Sequence, residues 1–162
     1  MKGFMQTTLA ALMLSGMISA NAQDAMPGQA SMEINMKIMQ EVMTDIPQDK
    51  MADAAFVIDK TIAKMKDNIP ALKEAAAKDC VALHGDAKAD ACKCAAEKTD
   101  YDEVFAMMKK QATSPETNLT EEAQKLAAKA EENTIACGFT KAEIDAANEK
   151  AMQMMQESMP KQ

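Results

Sequence analysis

Cys80-Val81-Ala82-Leu83-His84-Gly85-Asp86-Ala87-Lys88-Ala89-Asp90-Ala91-Cys92-Lys93-Cys94 holds three of the four cysteines and the only histidine of the chain, on two helix-forming runs that meet at His84-Gly85-Asp86. The fourth cysteine is Cys137. Cys80 and Cys92 lie nearly symmetrically about the turn, so the spacing favours a Cys80–Cys92 disulfide and leaves Cys94 for Cys137. Residues two apart on a helix point about 200° apart, so Cys92 and Cys94 reach different neighbours. Cys80 with Cys94 and Cys92 with Cys137 stays open as a second pairing, and a Cys92–Cys94 bond, which needs a distorted helix, ranks last. Loop entropy assigns about 2.9 kcal/mol to a loop the size of 80–92 and about 4.0 kcal/mol to one the size of 94–137. Together these approach the roughly 5–15 kcal/mol net stability of a whole domain.

Outward from this turn the chain carries a helical period. Pro70 opens the helix that Gly85 closes, with Leu72, Ala76, Cys80 and Leu83 on its inward face. Asp86 is the expected cap of a fourth helix running to about Lys98, and Asp100 begins a fifth with Tyr101, Val104, Phe105 and Met108 on its apolar side. Upstream, Ser31 is placed to cap a first helix in which Met32, Met36, Met39, Met43 and Ile46 recur at four-three spacing before Pro47. Asp49 is placed to cap a second, with Met51, Ala55, Ile58, Ile62, Met65 and Ile69 in the same rhythm. Two such stripes joined by a few residues predict an antiparallel helical hairpin. After a break at Ser114-Pro115-Glu116, Thr120 caps a sixth helix with Leu126, Ala130 and Cys137 roughly on one side, and Gly138 stops it. Thr140-Lys141-Ala142-Glu143 is a capping box for a seventh, through Ile144, Met152, Met155 and Met159. No stretch alternates with period two. The expected fold is all-α, a small disulfide-stapled bundle of about six or seven short helices in one domain over residues 31–159.

Residues 1–22 read as a cleaved secretory signal: Lys2, an apolar run through Leu9, Leu12, Met13, Leu14 and Ile18, then Ala20-Asn21-Ala22 as the cleavage pattern. Ser15, Gly16 and Ser19 break the run short of the roughly 20 apolar residues a spanning helix needs, so no membrane span is expected. The destination is the periplasm or the extracellular space, where cysteines pair, and residues 23–30 form a flexible lead. All 18 cations of the chain are lysines, against 25 acids, and loss of Lys2 leaves 17 against 25, or −8. Such a balance argues against a nucleic-acid partner, which a basic domain grips through phosphates, and against an electrostatic hold on anionic membranes. Beyond residue 22, Leu, Ile, Val and Phe number only 4, 8, 4 and 3, beside 13 methionines. Methionine buries area but is adaptable and specifies its neighbours poorly.

The methionines therefore have three readings. They build the core, or Met36, Met39, Met43, Met152, Met155 and Met159 form an adaptable apolar surface, or their thioethers hold Cu(I), with Met152 and Met154 in the better-placed run. Cys80, His84, Cys92 and Cys94 make a possible Cys₃His zinc set, although no paired C-x₂-C spacing is present. Cys80 with His84 at i, i+4 also has the geometry of a nucleophile and its base. Asn118-Leu119-Thr120 is a glycosylation sequon whose threonine is explained as a cap. There is no phosphate loop, G-x-S-x-G, H-E-x-x-H, C-x-x-C or calcium loop, and no paired carboxylates stand out. The leading expectation is an exported, non-enzymatic helical binding protein without a cofactor, which holds an apolar small ligand or a protein partner segment on a methionine- and alanine-rich surface or groove. A copper or zinc protein is the alternative.

Overall fold

The computed structural model describes residues 28–114 and 118–158, with side chains through Met154. The segment expected to be a signal, the expected lead up to Pro27, Pro115-Glu116 and Met159 lie outside the described residues, as does the Met155 side chain. Seven α-helices and no strand occur among the described residues: α1 (Gln29–Asp45), α2 (Ala54–Asp67), α3 (Ile69–His84), α4 (Ala89–Glu97), α5 (Tyr101–Thr113), α6 (Thr120–Ala136) and α7 (Lys141–Ser158). Single 3-10 turns at Gln48–Lys50 and Asp86–Lys88 lead into α2 and α4. The protein is a disulfide-stapled all-α bundle.

Several helix starts differ from the local reading, each for a physical reason. α1 begins at Gln29, inside the expected lead, and Ser31 is a buried residue of its first turn. The carboxylate that serves this end comes from α3: Asp79 accepts from the Ala30 and Ser31 N–H groups, both at 2.9 Å. A partner 48 residues away leaves no local trace. Asp53, not Asp49, caps α2 by accepting from the Phe56 N–H at 3.0 Å, because the residues around Asp49 are taken up in the 3-10 turn. Asp86 likewise sits in a 3-10 turn and gives α4 no side-chain cap. Before α6, the Asn118 side chain accepts from the Thr120 N–H at 3.0 Å, so Thr120 is the first helical residue and not the cap. Asp100 caps α5 through the Glu103 N–H.

Polar ties between helices fix their order. The start of α1 lies against Asp79 near the end of α3, and its end reaches Lys64, just before α3, where Asp45 and Lys64 meet at 2.9 Å. α1 and α3 therefore run in opposite senses. α1 and α2, the opening pair, also pack on each other, meeting towards their C-terminal ends. Lys66 with Asp102 and Lys109 with Asp59 set α2 against α5 in the opposite sense, and Lys110 with Glu122 and Lys129 with Glu103 do the same for α5 and α6.

One apolar cluster lies among α1, α3 and α5. Ile38, Val42, Ile46, Leu72, Tyr101, Val104 and Phe105 are buried in it, and Phe56, Val57, Ile62 and Met65 of α2, with Ile69 at the start of α3, pack against it. The expected α5 face is the observed one. In α2 the packing face is rotated: Phe56 and Val57 join it, while Met51 and Ala55 are exposed. On α3, Ala75 is buried where Ala76 was expected, and Cys80 is only half-buried. The largest departure is in α1, where Ile38, Val42 and Ile46 are 2%, 0% and 5% exposed, but Met36, Met39 and Met43 are 55%, 44% and 49% exposed. The four-three methionine stripe is thus not the core face. The branched residues, four apart, take it instead.

Candidate functional site

Two regions hold residues singled out by the sequence. The first is the end of the molecule around the cysteines. Cys80 is bonded to Cys92 (S–S 2.03 Å, Cα–Cα 5.6 Å), joining α3 to α4, and Cys94 to Cys137 (S–S 2.00 Å, Cα–Cα 5.7 Å), joining α4 to the end of α6. No cysteine is free. Cys80, Cys92 and Cys94 accordingly have no thiolate to offer zinc, and the Cys80–His84 pair has no nucleophile. Among the described residues no group of three His, Cys, Asp or Glu is placed to hold a metal ion.

His84 instead packs on an aromatic ring. Its imidazole lies 4.6 Å from Phe139, tilted by 57°, and burial pushes its pKa below the usual 6.5 against a smaller opposing pull from Glu143. Lys88 sits 5.1 Å over the same Phe139 ring, donates to the Gly138 carbonyl at 3.2 Å and pairs with Glu143 at 2.7 Å. The capping box is formed, with the Thr140 N–H donating to Glu143 at 2.8 Å and the Glu143 N–H to the Thr140 hydroxyl at 3.3 Å. Lys88, together with the N–H and hydroxyl of Thr140, holds the Glu143 carboxyl at about 2.

Phe139 is buried, and the periodic reading missed it because it lies between helices. The signal was present in Gly138-Phe139. The Gly138 N–H bonds to the Ile135 carbonyl and the Phe139 N–H to the Thr134 carbonyl, the double bond of a helix end that turns through a left-handed glycine (φ 99°) and tucks the next apolar residue against the structure. This region is a lock on the fold.

The second region is the outer face of α1. Met36, Met39 and Met43 stand one above another at i, i+3 and i+7, a strip about 10 Å long, with Met32 half-buried at its upper end. Of the site candidates near the C-terminus, Met152 and Met154 are half-buried on another helix, α7. A hollow of about 370 Å³ lies between α3 and α4 and is lined in part by Pro70, Ala77, Val81 and Ala96, together with Lys73, Lys78 and Lys93. Lys73 and Lys78 are tied to Glu97 and Glu74 at 2.9 and 2.8 Å. No helix among the described residues is long and apolar enough to cross a membrane. Comparison with protein-family models, with curated proteins and with solved structures finds no match to this chain.

Proposed function

We propose that the chain is an exported helical scaffold that binds a protein partner segment, an apolar and net-cationic helix-forming segment laid along the methionine strip of α1. The observation that carries this reading is the inversion within α1, which buries Ile38, Val42 and Ile46 and leaves Met36, Met39 and Met43 outside. Scattered exposed apolar residues are ordinary, but three at consecutive positions of one helix face make a continuous seat. A strip on the outside of a helix is open along its length, which suits an extended or helical segment better than an enclosed small ligand. Unbranched thioether side chains repack readily against different partners. An excess of seven acids over lysines draws in a cationic partner and raises its encounter rate. No residue is assigned a catalytic role.

The test is fluorescence anisotropy of a labelled lysine–leucine amphipathic peptide against the disulfide-intact protein and a variant carrying Met36→Gln, Met39→Gln and Met43→Gln together. Affinity is expected to fall at least about tenfold, or 1.4 kcal/mol, with the melting temperature unchanged. Equal affinity for both proteins, or no binding to either, sinks the reading. The same three thioethers face solvent, so Cu(I) is the alternative occupant. Retention of Cu(I) by the native protein and not by the triple variant, without peptide binding, puts the metal first.

A further inference from the structure

We propose that Met36, Met39 and Met43 form a site of oxygen-atom modification by hydrogen peroxide, and that their conversion to sulfoxides withdraws the apolar face of α1 while the fold stays intact. Three observations meet at this strip. Its thioethers are about half exposed, open to a small oxidant. The buried cluster is built from Ile38, Val42, Ile46, Leu72 and three residues of α5, with no methionine among its fully buried members; Met65 and Met108 only pack against its edge. All four cysteines are already bonded, so no free thiol intercepts a two-electron oxidant first.

The step is simple to balance. A sulfur lone pair attacks one oxygen of the peroxide, an S–O bond forms and the O–O bond breaks. The departing hydroxide takes the proton of the transferred oxygen and leaves as water. Sulfur is oxidised by two electrons and the peroxide is reduced by two. Each product is a polar, chiral sulfoxide in place of a flexible apolar side chain. Placed in a core, that change breaks packing; on the outside of α1 it meets water. The consequence for partner binding rests on the docking reading above, whereas the modification itself does not.

The experiment treats the disulfide-intact protein with hydrogen peroxide, maps sulfoxides by peptide mass spectrometry, and measures retention on a native hydrophobic-interaction column and the melting temperature. Sulfoxide is expected first at Met36, Met39 and Met43, and at Met51 in its exposed turn, and later at Met65 and Met108. Elution comes earlier, and the melting temperature moves by no more than about 2 °C. Equal rates at Met65 and Met108, unshifted elution, or a melting temperature that falls with the first oxygens overturns the proposal. So does a peroxide-induced elution shift as large in the triple glutamine variant as in the native protein. If the lysine–leucine peptide fails to bind the untreated protein, the docking reading is lost and the sulfoxide map still decides this one.

Discussion

The α1–α2–α5 end and the α4–α6–α7 end of this bundle are held by different means. At the first, branched and aromatic side chains from α1, α3 and α5 share one buried cluster. At the second, none of the 17 residues of α6 is buried. That helix is kept in place by Leu126 at the edge of the cluster, by Cys94–Cys137, by the Asn133 side chain donating to the Lys98 carbonyl, and by ion pairs such as Lys129 with Glu103 and Lys141 with Glu131. Exposed ion pairs contribute about 0–1 kcal/mol each, so the covalent bond is the strongest of these ties. A chain short of branched residues has concentrated them at one end and stapled the other.

Reduction of both disulfides gives the largest effect, a loss of up to about 7 kcal/mol by loop entropy. Hydrogen exchange is expected to show protection falling first in α6 and α7 and persisting in α1 and α5. Uniform loss of protection breaks the comparison and makes the bundle one cooperative unit. Phe105→Ala attacks the other end and should cost about 3–5 kcal/mol, as for a buried aromatic truncated in a packed core, read from the urea midpoint. In this variant α1 and α5 lose protection with both disulfides intact. Gly138→Ala puts a side chain on a left-handed residue and is expected to cost about 1–2 kcal/mol. Its effect should grow when Cys94–Cys137 is also removed, since both secure the same helix end.

The smallest effect is an acid response at the stapled end. The Glu143 carboxyl lies at about 2 in the folded protein against an ordinary 4.5, so its contribution is complete above about 4.5 and drains away as the pH falls towards 2. Glu143→Gln should therefore be less stable than the native protein at neutral pH, with the gap closing across that window. His84 acts earlier. Because burial holds its pKa down, the unfolded chain takes up the proton first, and stability begins to fall once the pH drops below about 6.5. A gap between native protein and Glu143→Gln that stays constant from pH 6 to 2 removes the assigned role of Lys88 and Thr140.

Where one apolar stripe stood alone, the sequence was enough to read the face, as with Tyr101, Val104, Phe105 and Met108 on α5. The bond Cys80–Cys92 follows the near-symmetry of the chain about Gly85, and Cys94–Cys137 is the pair it leaves. α1 is ambiguous because two stripes run along it, methionines at four-three spacing and Ile34, Ile38, Val42 and Ile46 every fourth residue. Periodicity alone does not choose between them. Side-chain entropy does: fixing a methionine costs roughly 1.5–2 kcal/mol and an isoleucine about 0.5–1, so the stiffer set is the cheaper one to bury. Asp79 at the start of α1 lay beyond any local pattern, because the pairing exists only once α3 has folded back. Of the candidate sites, the methionines were named from sequence, but their exposure depended on that competition between stripes.

Tyr101 is the only tyrosine and the chain has no tryptophan. It is buried in the cluster shared by α1, α3 and α5, where desolvation raises its hydroxyl pKa to about 12. Near-ultraviolet absorbance and intrinsic fluorescence of this protein therefore watch one end of the molecule. An optical melt followed through Tyr101 reports the cluster and passes over the detachment of α6 and α7, so a sample with its staples cut will read as native by that signal while two of its helices have let go.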